Sequence, residues 1–130
     1  MRLFSRVVAL LCLGAAFMII SQAKAATGAA LGSPFPKSQV NSSETVNGCG
    51  ERYKFSTNEP LAYVAKFYLD EGNSAGLTLL ADTDAGDPSY RMISFIRPHG
   101  HELLFVTLMG RGEVISGTVY YAPANRQKCS

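Results

Sequence analysis

The pattern of apolar and polar positions divides the chain into six strand-like runs and one helix. Alternation is clearest in Glu51–Ser56, where Tyr53 and Phe55 share one side and basic residues share the other. Asn47-Gly48, just before this run, is a strong hairpin-turn signal. The first strand is polar, which is typical of an edge strand that faces water. The predicted strands are Gln39–Val46, Glu51–Ser56, Leu77–Ala81, Tyr90–Arg97, Glu102–Met109 and Val114–Tyr121.

One segment has the periodicity of an amphipathic helix. Residues that cap or begin helices occupy Thr57–Pro60. Apolar residues then recur at the spacing of one helical face, namely Leu61, Val64, Phe67 and Tyr68. We expect the polar residues Lys66, Asp70 and Glu71 to lie off this face. The helix is expected to end at Gly72 or Gly76.

The element order is therefore β-β-α-β-β-β-β. It predicts an α+β fold in which one amphipathic helix packs on a mostly antiparallel sheet. The last three strands are joined by short turns and are expected to form a meander. Some of their positions are apolar on both sides, as in Leu103–Val106. One helix covers only part of such a sheet, so the helix-free face together with Tyr121 could form a recognition surface, whereas core packing is the expectation for most of the aromatic residues.

The N-terminal segment has the pattern of a secretory signal peptide. Two arginines precede an apolar run of 14 residues, Val7–Ile20, which is shorter than the roughly 20 residues that span a bilayer. Small residues then predict cleavage between Ala25 and Ala26. An uncleaved membrane anchor is the alternative. The expected organisation is a signal peptide at 1–25, a flexible linker at 26–36 and a single α+β domain at 37–130. The product would be periplasmic or secreted, with no stable membrane span after cleavage.

Composition and charge narrow the function classes. The chain has 130 residues, 47% of them hydrophobic and 17% charged, which allows one domain. Its formal charge of +2 becomes −1 once the signal peptide is removed, because nine basic and ten acidic residues remain. The remaining basic residues are spaced singly. We therefore do not expect nucleic-acid binding.

The cysteines agree with export. Cys12 lies inside the signal peptide, whereas Cys49 and Cys129 remain in the mature chain. An even pair of cysteines in an exported chain predicts a disulfide bond. Two free thiols are the alternative.

Two clusters contain residue types that bind metal ions. Asp82, Asp84 and Asp87 lie in one turn-rich loop and could supply oxygen ligands to Ca²⁺, but their spacing is not that of an EF-hand. His99 and His101 lie two residues apart in a turn and would need a third ligand to hold a metal ion. We expect solvated loops, no metal ion and no cofactor, and we keep these five residues as surface candidates.

Several short motifs resemble a pattern of small, largely uncharacterised exported bacterial proteins and lipoproteins. They are Phe35-Pro36, Tyr53–Thr57, Val64, Phe67-Tyr68 and Gly76. In those proteins a "yPgs" start precedes Y-x-F-x-T, then V-x-x-F-Y and a glycine. The similarity extends from Phe35 to Leu77, and it implies export and this fold without bringing a catalytic residue. The chain departs from the pattern because it lacks a lipid-modified cysteine and has the Cys49–Cys129 pair.

The sequence contains no nucleophile elbow, phosphate loop, zinc-protease motif or dinucleotide fingerprint. We therefore do not expect an enzyme. The leading hypothesis is a small binding or protein-interaction module whose partner is another envelope protein, in an oligomeric state that the sequence leaves open. A small hydrolase or metal-dependent enzyme that combines His99 and His101 with the loop Asp82–Asp87 is the alternative. A third hypothesis is a protein that binds a small ligand between helix and sheet.

Overall fold

The computed structural model describes residues 31–46, 49–99 and 101–123. This part of the chain forms β1 (Gln39–Val46), β2 (Gly50–Thr57), α1 (Leu61–Ser74), β3 (Thr78–Thr83), β4 (Tyr90–Arg97), β5 (Glu102–Arg111) and β6 (Val114–Ala122). The strands form one sheet in the order β1-β2-β6-β5-β4-β3, and every neighbouring pair is antiparallel. The predicted fold class and element order are confirmed. The predicted signal peptide and its cleavage site lie outside the described residues.

Helix α1 makes the long connection across the sheet. It leaves β2 and leads to β3, and these two strands run in the same direction with β6, β5 and β4 between them. The meander from β3 to β6 then returns to β2 and fills the gap. On its way the helix contacts β3, β4 and β5. Within the described part of the chain, one face of the sheet is therefore covered by a helix, and the opposite face is not.

The core lies between α1 and the covered face of the sheet. Ile93, Val106 and Val119 are cross-strand neighbours in adjacent strands, and each is completely buried. They share one cluster with Val64 and Tyr68 of α1, which are also completely buried. The apolar stripe of the helix thus packs against every second residue of the strands, because side chains recur on one face every 3.6 residues in a helix and every two residues in a strand.

The helix begins at Leu61, with Pro60 as its N-cap residue and no side chain capping the first turn. Thr57 and Asn58 were the expected caps. Instead, the hydroxyl of Thr57 accepts a hydrogen bond from the backbone N–H of Glu59 at 3.2 Å, one residue before the cap. Proline provides extended geometry at this position without needing a side-chain bond.

The helix ends in a Schellman motif at Gly76, one of the two predicted ends. The N–H of Leu77 donates to the carbonyl of Gly72, and the N–H of Gly76 donates to that of Asn73, both at 3.0 Å. Gly76 adopts φ 78°, which glycine tolerates best. Gly72 stays inside the helix because it packs against the sheet, where a Cβ would overlap the ring of Phe95.

The prediction of a flexible linker at residues 26–36 is wrong for its described part. Residues 31–36, which we call the N-terminal strap, pack along α1. Phe35 is only 3% exposed and meets the rings of Phe67 and Tyr63 edge-to-face, at centroid distances of 5.3 and 5.8 Å. Gly32 is also buried, against Tyr121. The glycine and prolines around Phe35 suggest a linker by composition, but the buried ring of Phe35 packs the strap on the domain.

Candidate functional site

The helix-free face of the sheet has an apolar patch at its centre. Phe105 lies there between its cross-strand neighbours Ser94 and Tyr120. The side chains shield one another, so that Ser94 is only 6% exposed although it faces away from the helix. We define the helix-free patch as Tyr90, Met92, Ile96, Leu103, Phe105, Met109 and Tyr120.

Basic side chains border this patch, two of them on β2 and one at the end of β5. The guanidinium of Arg52 lies over the ring of Tyr120, 6.0 Å from its centroid, and forms an ion pair with Glu44 at 2.9 Å. Lys54 is exposed on the same face of β2. Arg111 is exposed on the same face of β5. The patch thus combines an apolar centre with a largely basic border.

Tyr121 does not belong to this face. It pairs with Leu104, packs against the core on the helix-covered side, and donates a hydrogen bond from its hydroxyl to Glu102. Burial, and then this bond to Glu102, raise the pKa of Tyr121 to about 12. The prediction that Tyr121 contributes to the helix-free recognition surface is therefore wrong, and Tyr120 occupies that place. Adjacent residues of a strand point to opposite faces, so Tyr120 and Tyr121 are separated, but the face that receives the helix is set by the fold.

A groove lies on the outer side of α1, between the helix and the N-terminal strap. Its volume is about 690 Å³. The helix contributes a second stripe of residues at helical spacing, namely Tyr63, Phe67, Asp70 and Ser74. The opposite wall consists of Leu31 and Phe35–Lys37. The groove is thus largely apolar, with three aromatic rings in its walls and charged residues at its border.

Glu71 lines this groove and holds the strap on the helix. Its Oε1 accepts a hydrogen bond from the N–H of Gly32 at 3.2 Å, and the neighbouring hydroxyl of Tyr68 donates to the carbonyl of Ser33 at 2.9 Å. Its Oε2 is buried and has no hydrogen-bond partner among the described residues. Burial raises the pKa of Glu71 to about 7, although the bond from Gly32 opposes the shift. Burial and the charge of Glu71 also raise the pKa of Tyr68.

The expectation that Glu71 lies off the buried side of the helix is therefore wrong. It follows Tyr68 by three residues and Val64 by seven, which places it at the border of the buried stripe. This spacing was the available signal. A carboxylate at such a position either finds a partner or acquires a raised pKa.

Arg97 connects the β4–β5 hairpin to the end of the helix. Its Nε donates to Glu102 at 2.8 Å, and one Nη donates to the carbonyl of Ala75 at 2.7 Å. Burial alone would raise the pKa of Glu102, but the hydrogen bonds from Arg97 and Tyr121 outweigh it and lower the pKa. A cation at a helix C-terminus also satisfies the last carbonyls. We therefore assign this network to fixing α1 on the sheet.

The three aspartates of the acidic loop each bind a local partner. Asp82 forms a bidentate ion pair with Arg91, at 2.6 and 3.0 Å. Asp84 and Asp87 each accept the backbone N–H two residues ahead, at 2.8 and 2.9 Å. The carboxylates thus form turns and a hairpin ion pair. Within the part of the chain that the structure describes, no group of three or more metal-binding side chains comes together.

His99 and His101 lie at the opposite end of β4 from this loop. Both are exposed in the β4–β5 turn, whereas the acidic loop precedes Tyr90. An eight-residue strand at about 3.3 Å per residue separates the two ends by roughly 25 Å. The fold therefore does not bring the two clusters together in one site.

Cys49 lies in the turn between β1 and β2, where its N–H donates to the carbonyl of Val46 at 3.2 Å. Cys129 lies outside the described residues. The Cys49–Cys129 disulfide therefore stays a prediction.

Comparison with known proteins adds no relative, because the chain matches neither a protein-family model nor a curated protein. Over residues 31–46, 49–99 and 101–123, no helix has the length and apolar character to cross a membrane.

Proposed function

We propose that this protein is an exported binding module that holds another envelope protein on the helix-free face of its sheet. The observation that carries the proposal is the apolar patch around Phe105, next to the stacked pair of Arg52 and Tyr120. Aromatic and arginine side chains are the residues that contribute most often to binding energy in protein interfaces. A sheet covered by one helix leaves these side chains available.

The chemistry of the patch indicates the chemistry of the partner. At the border, Lys54 and Arg111 form no ion pair with any described residue. Arg52, in contrast, is already paired with Glu44. A partner with an apolar centre and acidic residues around it would complement this surface.

Substitutions that reverse a charge at the border or remove the apolar centre test whether the helix-free patch binds a partner. Tagged wild-type protein, Phe105→Glu and Lys54→Glu would be used to capture partners from cross-linked envelope fractions, followed by identification by mass spectrometry. The matched control is Ala62→Glu, because Ala62 is exposed on α1, on the other side of the sheet from the helix-free patch.

We expect one partner to be lost at least tenfold with Phe105→Glu and Lys54→Glu, and retained with Ala62→Glu. Circular dichroism would check that each variant is folded. Retention of the same partners by both patch variants would contradict the proposal.

Export is supported by the signal-peptide pattern and by the resemblance to small exported proteins. N-terminal sequencing of the mature protein tests it. We expect the first residue to be Ala26. Membrane-bound protein that still begins with Met1 would support the anchor alternative instead.

The predicted disulfide is a second test of the oxidising location. We expect exported protein, once unfolded, to show no free thiol, and we expect Cys49→Ser and Cys129→Ser to lose similar stability, on the order of 2–4 kcal/mol. The double variant should lose no more than either single variant, because all three remove one crosslink. Two titratable thiols in the exported protein would exclude the disulfide.

A further inference from the structure

The groove between the N-terminal strap and α1 has the features of a second binding site, independent of the helix-free face. We propose that it binds a small organic cation, a primary ammonium group carried on an aromatic ring, through the carboxylate of Glu71 and the rings of Phe35, Tyr63 and Phe67. This site goes beyond the proposed function and does not depend on it.

The shape and walls of the groove suit such a ligand. A volume of about 690 Å³ lies within the range of small-molecule sites, roughly 300–1,000 Å³. Three aromatic residues line it, namely Phe35, Tyr63 and Phe67. The rings of Tyr63 and Phe67 each pack edge-to-face against the ring of Phe35. The ammonium of Lys37 already lies 5.7 Å from the centroid of the Tyr63 ring, so this ring is accessible to a cation.

The charges around the groove leave Glu71 as the group that needs a cation. Asp70 is paired with Lys66 at 2.7 Å, and Lys37 lies 3.8 Å from Glu59. Among the described residues, no Lys, Arg or His forms an ion pair with Glu71. Tyr68, the other titratable group beside it, keeps its proton because its pKa is raised.

An ammonium group would satisfy the buried oxygen of Glu71 that has no partner among the described residues. Such a group has three donors, whereas Gly32 supplies one neutral N–H to the other oxygen. Because Oε2 is shielded from solvent, binding must displace the strap near Gly32. The ammonium donor carries a full positive charge, whereas the backbone N–H of Gly32 is an uncharged donor, so the ionised carboxylate binds the ammonium more strongly.

The pH dependence of binding follows from the carboxylate. Only ionised Glu71 attracts a cation, and its pKa is raised to about 7 by burial. An aromatic alkylammonium ion keeps its charge through this range. We therefore expect binding to strengthen as the pH rises from 5.5 to about 8.

The experiment titrates the full exported chain with phenethylammonium and, separately, with 2-phenylethanol, its neutral analogue, by calorimetry and amide chemical shifts. The variant Glu71→Gln keeps the shape of the side chain and removes its charge. Glu113→Gln is the matched control, since Glu113 is exposed in the β5–β6 turn. A further control, Phe105→Glu, alters only the helix-free face.

We expect phenethylammonium to bind wild-type protein at least tenfold more tightly than 2-phenylethanol at pH 8, with shifts at residues of the strap and α1. Glu71→Gln should abolish this preference and its pH dependence, whereas Glu113→Gln and Phe105→Glu should keep both. No binding, equal binding of the two probes, or unchanged binding by Glu71→Gln would overturn the proposal. If Glu71→Gln does not fold, the comparison of the two probes on wild-type protein decides alone.

Discussion

The two faces of the sheet are built from the same strands and the same residue types, yet they differ in what covers them. On β5, Leu104 faces the helix and is completely buried, whereas its neighbour Leu103 faces away and remains partly exposed. The helix-covered face is closed by α1 and the strap. On the helix-free face, side chains such as Phe105 and Tyr120 shield one another only across strands.

This difference separates stability from recognition. Apolar groups that are fully removed from water stabilise the fold. Partly exposed apolar groups stabilise it less, and burying their remaining surface against a partner would contribute to binding free energy. Polar groups follow the same division. The helix-covered side contains a buried carboxylate, Glu71, while the charged groups near the helix-free patch, such as Lys54, are at its border.

Truncating the two adjacent leucines gives the largest expected effect. Leu104→Ala should lower the free energy of unfolding by about 3–4 kcal/mol, because it leaves a cavity in the core. Leu103→Ala should cost only about 1 kcal/mol, because its side chain is still partly in water. Urea unfolding of both variants measures the difference. Equal losses would mean that the helix-free face is as closely packed as the core.

Helix packing gives the next effect. Gly72→Ala should lower the free energy of unfolding by about 1–3 kcal/mol, because the methyl group would overlap Phe95. Alanine is the better helix former, so intrinsic propensity predicts the opposite sign. The matched control is Asn73→Ala, an exposed helical position, which should change stability by less than about 0.5 kcal/mol. A stabilising Gly72→Ala would show that α1 can move away from β4.

The free energy of unfolding should also depend on pH, because Glu71 on the helix-covered side has a raised pKa. The pKa of Glu71 is raised from 4.5 to about 7 in the folded protein. The unfolded chain therefore loses this proton at lower pH than the folded chain, and the free energy of unfolding should fall as the pH rises from about 4.5 to 7. Thermal unfolding of wild-type protein and Glu71→Gln across this range measures the effect. Glu71→Gln should lack this fall, and parallel curves for the two proteins would contradict the assignment.

The smallest effect compares two ion pairs. Asp82 and Arg91, on the helix-covered side, form a bidentate pair whose side chains are 24% and 29% exposed. Glu44 and Arg52, on the other face, are 54% and 38% exposed. We expect Asp82→Asn to cost about 0.5–1 kcal/mol and Glu44→Gln less than about 0.5 kcal/mol. High salt should reduce the cost of both variants, and a larger cost for Glu44→Gln would reverse the comparison.

Much of the fold follows from local patterns. Alternation in β2, the strand-like runs and short turns of the last three strands, and helical spacing from Leu61 to Tyr68 correctly predicted the elements and their order. Gly76 was correctly among the predicted ends of the helix, because a left-handed residue at that position is a local requirement. The aspartates of the acidic loop were predicted to form ordinary turns, and Asp84 and Asp87 do so.

The site depended on contacts between distant parts of the chain. Alternation alone separates Tyr120 from Tyr121, but only the pairing of β6 with β5 and the path of α1 decide which of them faces a partner. Likewise, Phe35 is buried because the strap returns to a helix some thirty residues later in the chain, and Glu71 keeps a buried oxygen because the same strap covers it. The sequence by itself determined the periods, the turns and the element order, since these arise within a few residues. Tertiary structure alone decided burial, charge pairing and the exposed face, because those depend on which distant surfaces exclude water from one another.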